Sequence, residues 1–230
     1  MEIDILSLFP EYFEAPLGCS ILGRAQKNGL VKIRQTNIRD FSTDRHKSVD
    51  DRPYGGGPGM VMMVEPIVKA IRSLRRENSK VVYLSPQGRV LTASMCEAFA
   101  GEMEHMILLC GHYEGIDERV IELEVDIEIS IGDYVLTNGG PAALVLIDSV
   151  CRFIPGVIGH PDAPYQDSFH QEAVFDGPHY TRPVEFEGLK VPEVLTGGNH
   201  RDIEAYRRKR ALEKGKRVRP ELTLLGEIDA

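Results

Sequence analysis

The segment from Asp50 to Met60 combines charged side chains with an unusual density of glycine. It reads Asp-Asp-Arg-Pro-Tyr-Gly-Gly-Gly-Pro-Gly-Met. Glycine permits backbone conformations that other residues avoid and lets a ligand approach closely, whereas proline fixes one dihedral angle and removes one donor. The segment lacks the Gly-Lys-Ser/Thr of a phosphate-binding loop and does not complete a dinucleotide fingerprint. Its composition predicts a shaped loop that admits a flat, bulky ligand, with an ordinary surface loop as the alternative.

Three further glycine-bearing segments each follow a predicted strand. They are 85–88 (Ser-Pro-Gln-Gly), 111–115 (Gly-His-Tyr-Glu-Gly) and 131–134 (Ile-Gly-Asp-Tyr), the last running into 136–141. Each segment alone could be a tight turn between a strand and a helix. Ligands of parallel α/β sheets bind at the carboxyl ends of the strands, so the three segments together predict a pocket at one edge of a sheet.

The apolar periodicity predicts the elements that must position these loops. Strands are expected over 3–9, 31–36, 80–85, 106–110 and 125–130, and helices over 17–28, 67–76, 92–100, 117–124 and 141–153. The alternation is typical of a parallel α/β domain with the apolar strands 81–84 and 106–110 at its centre. A linker is predicted over 156–164, followed by a helix over 200–214 that begins after Asn199 and ends at Gly215.

Length and composition bound the class of protein. The chain has 230 residues, of which 42% are hydrophobic and 27% charged, enough for one large domain or a medium domain with an appendage. No apolar run approaches the roughly 20 residues that cross a bilayer, and Met1-Glu2-Ile3-Asp4 lacks the basic start of a signal peptide, so we expect a cytoplasmic protein without a membrane partner. The four cysteines are widely spread and are expected to be reduced core thiols, with neither a disulfide nor a zinc site.

The distribution of charge is asymmetric. The net charge is −8, yet residues 201–219 carry nine Lys or Arg against three acids, a local charge of +6 that leaves −14 for the remainder. Such a basic stretch indicates a polyanionic partner that is met by one end of the chain. A solvated helix face with internal ion pairs is the alternative, but Arg207-Arg208-Lys209-Arg210 has few acids beside it.

Several motifs, taken together, resemble a known family along essentially the whole chain. They are 39–41, 44–46, 50–60, 83–88, 111–119, 130–136, 148–149, 154–156, 167–169 (Asp-Ser-Phe) and 178–183 (Pro-His-Tyr-Thr-Arg-Pro). This set resembles the bacterial tRNA (guanine-N1-)-methyltransferases that act on guanine 37. The resemblance implies an α/β fold of the SPOUT class with a deep trefoil knot, which general topology rules would have argued against.

The resemblance also implies a domain organisation, a cofactor and partners. It predicts a knotted S-adenosylmethionine-binding domain over 1–158, a linker over 159–170 and a small, mainly helical tRNA-binding domain over 171–230. The partners would be the anticodon stem-loop of tRNA and a second copy of the chain, in a homodimer with composite sites. The residues expected to bind the cofactor are Leu84, Ser85, Pro86, Gly111, Tyr113, Gly115, Ile131, Gly132, Tyr134, Leu136, Gly139 and Gly140.

The expected chemistry requires a base, because guanine N1 carries a proton. The resemblance assigns that role to Asp167 and places Arg152 to stabilise negative charge on the exocyclic oxygen of the purine. Local alternatives exist for both residues. Ser168-x-x-Gln171 matches a capping box that would make Asp167 part of a helix start, and Arg152 could complement the dipole of the preceding helix.

The remaining site residues are expected to contact the substrate or a metal. Those assigned to the substrate are Asp50, Arg52, Gly57, Ser168, Arg207 and Arg208, and Glu114 is a candidate ligand for Mg²⁺. The chain departs from the family at Asn138-Gly139-Gly140, where an acid usually follows two glycines, and at His112, where many members carry arginine. A SPOUT relative that methylates ribose or ribosomal RNA, and a non-catalytic RNA-binding protein, are the competing functions.

Overall fold

A computed structural model describes residues 1–170 and 175–225, with the side chains of 223–225 left aside. The chain divides into two compact units, Met1–Pro161 and Asp162–Ala230, which are described separately. The boundary between them falls inside the segment 156–164 that the sequence predicts as a linker. Within the described residues, no helix is long and apolar enough to cross a membrane.

The first unit is built on a parallel five-stranded sheet of order β2-β1-β6-β5-β7. The strands of this unit are β1 (Glu2–Ser7), β2 (Lys32–Asn37), β3 (Asp50–Asp51), β4 (Val61–Met62), β5 (Ser79–Val90), β6 (His105–Cys110) and β7 (Ile127–Ser130), with β3 and β4 forming a separate antiparallel pair. The predicted α/β class and its central parallel sheet are thus confirmed. Every residue of β6 is buried, as its continuous apolar run predicts.

Helices cover both faces of the sheet. They are α1 (Glu14–Gly18), α2 (Ser20–Lys27), α3 (Val64–Leu74), α4 (Ala93–Glu102), α5 (Glu118–Glu124) and α6 (Gly140–Cys151). Side chains of β6 alternate between two apolar cores, one on each face: Met106 and Leu108 pack in the first, Ile107 and Leu109 in the second. The first core contains residues of α2, α4 and α6, and the second contains residues of α3 and α5.

The predicted start of α4 is confirmed by its cap. Thr92 has an extended backbone, and its hydroxyl accepts a hydrogen bond from the Met95 N–H at 3.3 Å. Asp117 likewise caps α5 by accepting from the Arg119 N–H at 3.0 Å. Both side chains satisfy amide groups that a helix start leaves without partners.

Two predicted features of the first unit are wrong. The helix expected over 17–28 is broken, because Cys19 is extended and Ser20 has a φ of +50°, which separates α1 from α2. Gly23 approaches the Gly18 backbone so closely at this break that a side chain would not fit. The expectation of a core thiol is met by Cys96, Cys110 and Cys151, whereas Cys19 is exposed, because it lies at the turn between these helices.

The second unit contains one long helix and several short elements. Its elements are α7 (Ala163–Gln166), β8 (Glu185–Phe186), β9 (Leu189–Lys190), α8 (His200–Val218) and α9 (Pro220–Leu225). Asn199 caps α8 as predicted by accepting from the Arg201 N–H at 3.2 Å. The predicted end of this helix at Gly215 is wrong: Gly215 is buried within the helix, where a missing side chain permits close packing.

Candidate active site

A cavity of about 320 Å³ lies at the carboxyl ends of β5, β6 and β7 in the first unit. Its walls come from the three glycine-bearing segments: residues 85–88, which lie within β5 although the sequence predicts that the strand ends at 85, and the loops that follow β6 and β7. All the residues predicted to bind the cofactor line it except Gly140, and Glu114 lines it as well. The predicted convergence of the three loops on one edge of the sheet is therefore observed, while the role of each residue stays a prediction.

The first loop is a bulge within β5. Leu84 and Arg89 both lie opposite Ile129 of β7, so residues 85–88 project out of the ladder between them. Ser85 is buried, and its hydroxyl accepts a hydrogen bond from the Gln87 N–H at 3.2 Å. Gly88 packs directly against the backbone of Glu128 and Ile129, where no side chain would fit. This close approach holds the bulge at the rim of the cavity.

The second loop is shaped around a buried tyrosine. A side chain on Gly111 would lie 3.1 Å from the Tyr83 hydroxyl, so a glycine at this position leaves room for the Tyr83 ring. Burial, with the charges of Glu128 and Glu118, raises the pKa of Tyr83 to about 12, and the phenol stays protonated at neutral pH. Tyr113, two residues after Gly111, has a φ of +58°. This backbone conformation is rare outside glycine and marks local strain in the second loop.

The third loop is braced by one serine. The Ser130 hydroxyl donates to the Gly132 carbonyl at 3.0 Å and accepts from the Gly132 N–H at 3.2 Å. The Tyr134 hydroxyl donates to the Ile131 carbonyl at 3.1 Å, which folds the ring back over the loop. Beyond it, Val135 is 83% exposed. The loop thus presents apolar side chains at an open mouth of the cavity.

The second and third loops are joined by backbone contacts. The Gly139 N–H donates to the Gly111 carbonyl at 2.8 Å, and His112 forms a bridge with Asn138. A side chain on Gly139 would lie 2.9 Å from the Cys110 Cα. Gly140 is buried behind the cavity wall, and its N–H donates to the Asn138 side-chain oxygen at 2.7 Å, which begins α6. Asn138 lines the cavity and is absent from the sequence-based residue set.

The glycine-rich loop of residues 52–60 packs beside the second loop. The Glu114 N–H donates to the Met60 carbonyl at 3.0 Å, and the Met62 N–H donates to the Gly115 carbonyl at 2.9 Å. The loop is exposed, with positive φ at Gly55, Gly56, Gly57 and Gly59. Its predicted glycine-shaped conformation is confirmed. The structure therefore connects this loop to the cavity through Glu114.

Three residues in and beside this loop were predicted to contact the substrate, and none of them lines the cavity: Asp50, Arg52 and Gly57. Asp50 is half-buried in β3 opposite Met62, and Arg52 is exposed. Gly57 faces open space, with a φ of +120°. Their predicted contacts with the substrate stay predictions.

The two predicted catalytic residues lie in different units. Arg152 follows α6 in the first unit, and its N–H donates to the Asp148 carbonyl at 3.3 Å. Asp167 follows α7 in the second unit, with an extended backbone. Ser168 donates a hydrogen bond from its hydroxyl to Asp176 at 2.7 Å. The capping box proposed as the alternative for this segment requires Gln171, which lies outside the described residues.

The basic residues of the second unit are displayed along α8. Arg207 and Arg208 are exposed, and Arg210 donates to Glu213 at 2.7 Å. The alternative of internal ion pairs therefore applies to Arg210. The predicted contact of the exposed Arg207 and Arg208 with a polyanion stays a prediction.

The cavity fits a small polar cofactor better than a metal held by the protein alone. Its volume lies at the lower end of the range for small-molecule pockets, roughly 300–1,000 Å³. Glycines replace side chains where backbone segments meet, which leaves amide and carbonyl groups close to a ligand. Across residues 1–170 and 175–225, no group of three His, Cys, Asp or Glu side chains is arranged to hold a metal.

Sequence reasoning missed Tyr83 and Asn138 as parts of the site. Tyr83 lies within the apolar stretch 81–84 of β5 and resembles a core residue in sequence, although its hydroxyl lies close to Gly111 of the second loop. Asn138 stands before two glycines, a position that favours a turn stabilised by its side chain. That local signal could have identified it.

Comparison with known proteins gives a consistent family. The family model described as tRNA (Guanine-1)-methyltransferase TrmD matches residues 1–224. The tRNA (guanine-N(1)-)-methyltransferase of Protochlamydia amoebophila (strain UWE25) is 59% identical over 222 residues, which cover 96% of this chain and 99% of that protein. The proteins of the same name from Chlamydia pneumoniae and Chlamydia muridarum are 58% and 56% identical over 224 residues, 97% of this chain. The matched regions cover 61% and 63% of these two longer proteins.

Proposed function

Since the chain belongs to the tRNA (guanine-1)-methyltransferase family and is a methyltransferase, we propose that it methylates N1 of guanine 37 in the anticodon loop of tRNA, with S-adenosylmethionine as donor. The observation that carries this proposal is the cavity at the carboxyl ends of β5, β6 and β7, walled by three loops that glycines shape. When bound, S-adenosylmethionine supplies an activated methyl group. The chain must then hold the donor, position guanine and remove its proton.

The residues proposed to hold the donor act mainly through their backbones. Leu84 of β5, Gly111 of the second loop and Leu136 of the third loop line the cavity from three different segments, and their amide and carbonyl groups are proposed to contact the ligand. Exposed apolar side chains at Tyr134 and Leu136 would cover its adenine ring. This arrangement orients a ligand at small entropic cost, because the loops are already held by their own hydrogen bonds.

The proton on guanine N1 is proposed to move to Asp167. A neutral guanine is a poor nucleophile at N1 until that proton is removed, so a positioned carboxylate acts as a general base. The negative charge left on the ring is shared with its exocyclic oxygen, where Arg152 would stabilise it. The deprotonated N1 would then be the nucleophile toward the methyl group that the bound donor would supply. A nucleobase within the anticodon loop must first be splayed out, and the loop of residues 55–59 is proposed to admit it, with contacts to the substrate from Asp50, Arg52 and Gly57.

The tRNA backbone is proposed to lie along α8, in a helical tRNA-binding domain. The exposed Arg207 and Arg208 supply cations for phosphate groups, and Tyr206 lies beside them in the chain. The local positive charge of residues 201–219 on an otherwise acidic chain supports this assignment.

We also propose that the active species is a homodimer with composite sites. The cavity belongs to the first unit and Asp167 to the second, so the two must be brought together, and a second copy of the chain would supply Asp167 and α8. In the first unit, a trefoil knot is proposed. The family supports this proposal, since the sequence resemblance implies the SPOUT class.

Glu114 is retained as a proposed ligand for Mg²⁺. A single carboxylate suits this ion when substrate and water complete the octahedral shell. Its carboxylate lies against Gly59, where a side chain would come within 2.5 Å of the Glu114 Oε1. We assign no step of the reaction to the metal.

Replacement of Asp167 by Asn tests the proposed base. We expect methyl transfer to an unmodified tRNA transcript to fall by about 10²- to 10⁴-fold, with binding of S-adenosylmethionine unchanged. The modified nucleotide is located by nuclease digestion and mass spectrometry. Glu193→Gln, at an exposed carboxylate of the same unit, is the matched control. Equal turnover of Asp167→Asn and the parent at saturating substrates would remove Asp167 from this role.

A further inference from the structure

Three side chains of the second unit form a continuous hydrogen-bonded chain. The Ser168 hydroxyl donates to the Asp176 Oδ1 at 2.7 Å and accepts from the Asp176 N–H at 3.2 Å. The Asp176 Oδ2 lies 2.9 Å from the His179 Nε2. Ser168 and Asp176 are half-buried, whereas the His179 side chain is 73% exposed. Both hydrogen-bonding functions of the serine are therefore directed at one residue, which fixes its rotamer.

Asp176 is suited to hold Ser168 because it is a charged acceptor. The contact with His179, followed by the hydrogen bond from Ser168, lowers the pKa of Asp176 below its ordinary value. A carboxylate that remains ionised accepts a stronger hydrogen bond from a hydroxyl than a neutral group does. Ser168 and Asp176 lie eight positions apart in the sequence, and Ser168 directly follows Asp167.

The segment that carries Asp176 is itself attached to α8. A side chain on Gly177 would lie 2.7 Å from the Arg207 Cβ and 2.9 Å from its Cα, so the backbone at Gly177 rests directly on this helix. Phe175 lies under the Lys214 ammonium, with 5.9 Å from the nitrogen to the ring centroid. These two contacts anchor residues 175–177 on α8.

Through Asp176, these contacts connect Ser168, the residue after the proposed base Asp167, to helix α8. Asp167 and Ser168 are adjacent in the chain, so fixing Ser168 restricts the backbone that orients the Asp167 carboxylate. A reacting group displaced by about 1 Å can cost a hundredfold in rate. We propose that Asp176 is a positioning residue that acts through Ser168 on Asp167, and that its attachment to α8 makes the helix assigned to tRNA also the support of the base. This inference rests on the proposed function.

The test is a set of variants measured for methyl transfer with the full chain. Asp176→Ala is expected to lower kcat by about 10- to 100-fold, the range for a misplaced reacting group, with KM for tRNA changed by less than about twofold. Asp176→Asn keeps an oxygen that accepts from Ser168 but loses the charge, and it is expected to recover part of the rate. Ser168→Ala removes the hydroxyl that forms the same hydrogen bond and is expected to lower kcat as much as Asp176→Ala does. Glu193→Ala, at an exposed acid of the same unit, is the control.

A double-mutant cycle tests whether Asp176 acts through the base. In an Asp167→Asn background, Asp176→Ala should add less than about threefold, because residues that act as a unit are not additive. The same fold-loss in both backgrounds would overturn the inference. So would a rise in KM that accounts for the whole loss, or a failure of Asp176→Asn to recover activity while its thermal unfolding midpoint equals that of the parent.

The outcomes separate this inference from the proposed function. If Asp167→Asn is inactive and Asp176→Ala is fully active, the base stands and only the positioning role is overturned. If Asp167→Asn is fully active, the proposed base fails and the positioning role fails with it. Where Asp176→Ala does not fold, Asp176→Val, which removes the carboxylate but keeps more of the side-chain volume, takes its place in the same comparison of kcat and KM.

Discussion

The two edges of the central sheet differ in how far their side chains are exposed to solvent. Towards the amino ends of β1 and β6, Asp4 is 1% exposed and His105 is 3% exposed. Beyond the carboxyl end of β7, Tyr134 is 55% exposed and Val135 is 83% exposed. The buried carboxylate of Asp4 accepts two hydrogen bonds from Arg34, at 2.6 and 2.9 Å, and lies 2.7 Å from the His105 Nε2. The other ring nitrogen of His105 lies 2.7 Å from the Ser79 hydroxyl, which also accepts from the Arg76 N–H at 2.7 Å.

The carboxyl edge of the same sheet has the opposite construction. A cavity opens there between segments in which glycines leave space for close backbone approach. At the amino edge the side chains of Asp4, His105 and Ser79 are joined in one hydrogen-bonded network. The difference indicates that one edge stabilises the fold and the other carries the function, as expected for open α/β sheets.

The largest effect is expected at the amino edge, for Asp4→Ala. Removing one member of a buried charged network leaves the Arg34 guanidinium without its main partner and should cost about 3–5 kcal/mol of unfolding free energy. Cofactor affinity of the folded fraction should be unchanged. Denaturant unfolding measures the first quantity and calorimetric titration the second. Asp40→Ala is the matched control, since that exposed acid lies 3.5 Å from the Lys47 Nζ and should contribute less than about 1 kcal/mol.

The pH dependence of unfolding checks the same side chain independently. Burial alone would raise the pKa of Asp4, but hydrogen bonds from Arg34 and His105 outweigh it and hold the pKa below its ordinary value of 3.8. The stability from this shift is present above pH 3.8 and is lost as the pH falls through the lower pKa of the folded state. The Asp4→Asn variant should therefore lose less stability than the parent on acidification below pH 3.8. Equal losses would mean that Asp4 titrates alike in both states.

A smaller effect, confined to ligand binding, is expected for Gly139→Ala at the carboxyl edge. The new methyl group would lie 2.9 Å from the Cys110 Cα and 3.0 Å from the Gly111 nitrogen, both backbone atoms, so the second and third loops must separate. Overpacking of this kind costs roughly 1–3 kcal/mol, which corresponds to about a 10- to 100-fold loss of affinity for S-adenosylmethionine. Isothermal titration measures it.

The matched control for Gly139→Ala is Gly101→Ala. Gly101 lies in α4 with no atom within 4 Å of the added methyl group, so cofactor affinity should be unchanged and the helix slightly stabilised. A Gly139→Ala variant that binds as well as Gly101→Ala would show that the two loops need not be in contact.

The sequence predicts most of the sheet because its signals are local. The apolar run of β6, the capping side chains of Thr92 and Asp117, and the glycine loops after the strands all act within a few residues. The break at Cys19 was not predictable in this way. Leu17 and Leu22 are buried on either side of it, so the helical apolar pattern continues although the backbone does not.

The site is predictable only where the chemistry is carried by a recognisable motif. Spacing alone indicates a pocket at the strand ends, whereas the roles of Asp167 and Arg152 come from the family resemblance. Tyr83 and Asn138 were missed because their contacts depend on which strands are neighbours. The Tyr83 hydroxyl lies close to Gly111, which follows the neighbouring strand β6, and Asn138 of the third loop forms a bridge with His112 of the second. Such pairs are set by topology, which local periodicity does not report.

The smallest effects on stability and cofactor binding are expected for two serine substitutions, one at each edge of the sheet. Ser130→Ala removes the hydroxyl that both donates to and accepts from Gly132, and Ser79→Ala removes the hydroxyl that contacts His105 and the Arg76 N–H. Each change should cost about 1 kcal/mol of unfolding free energy, as expected for a lost hydrogen bond. Only Ser130→Ala should also weaken cofactor binding, by up to about fivefold, because it releases the loop that closes the cavity. Titration of both variants with S-adenosylmethionine, beside their denaturant midpoints, measures the two effects separately. If Ser79→Ala weakens binding as much as Ser130→Ala, the two edges of the sheet are coupled and the division between stability and function does not hold.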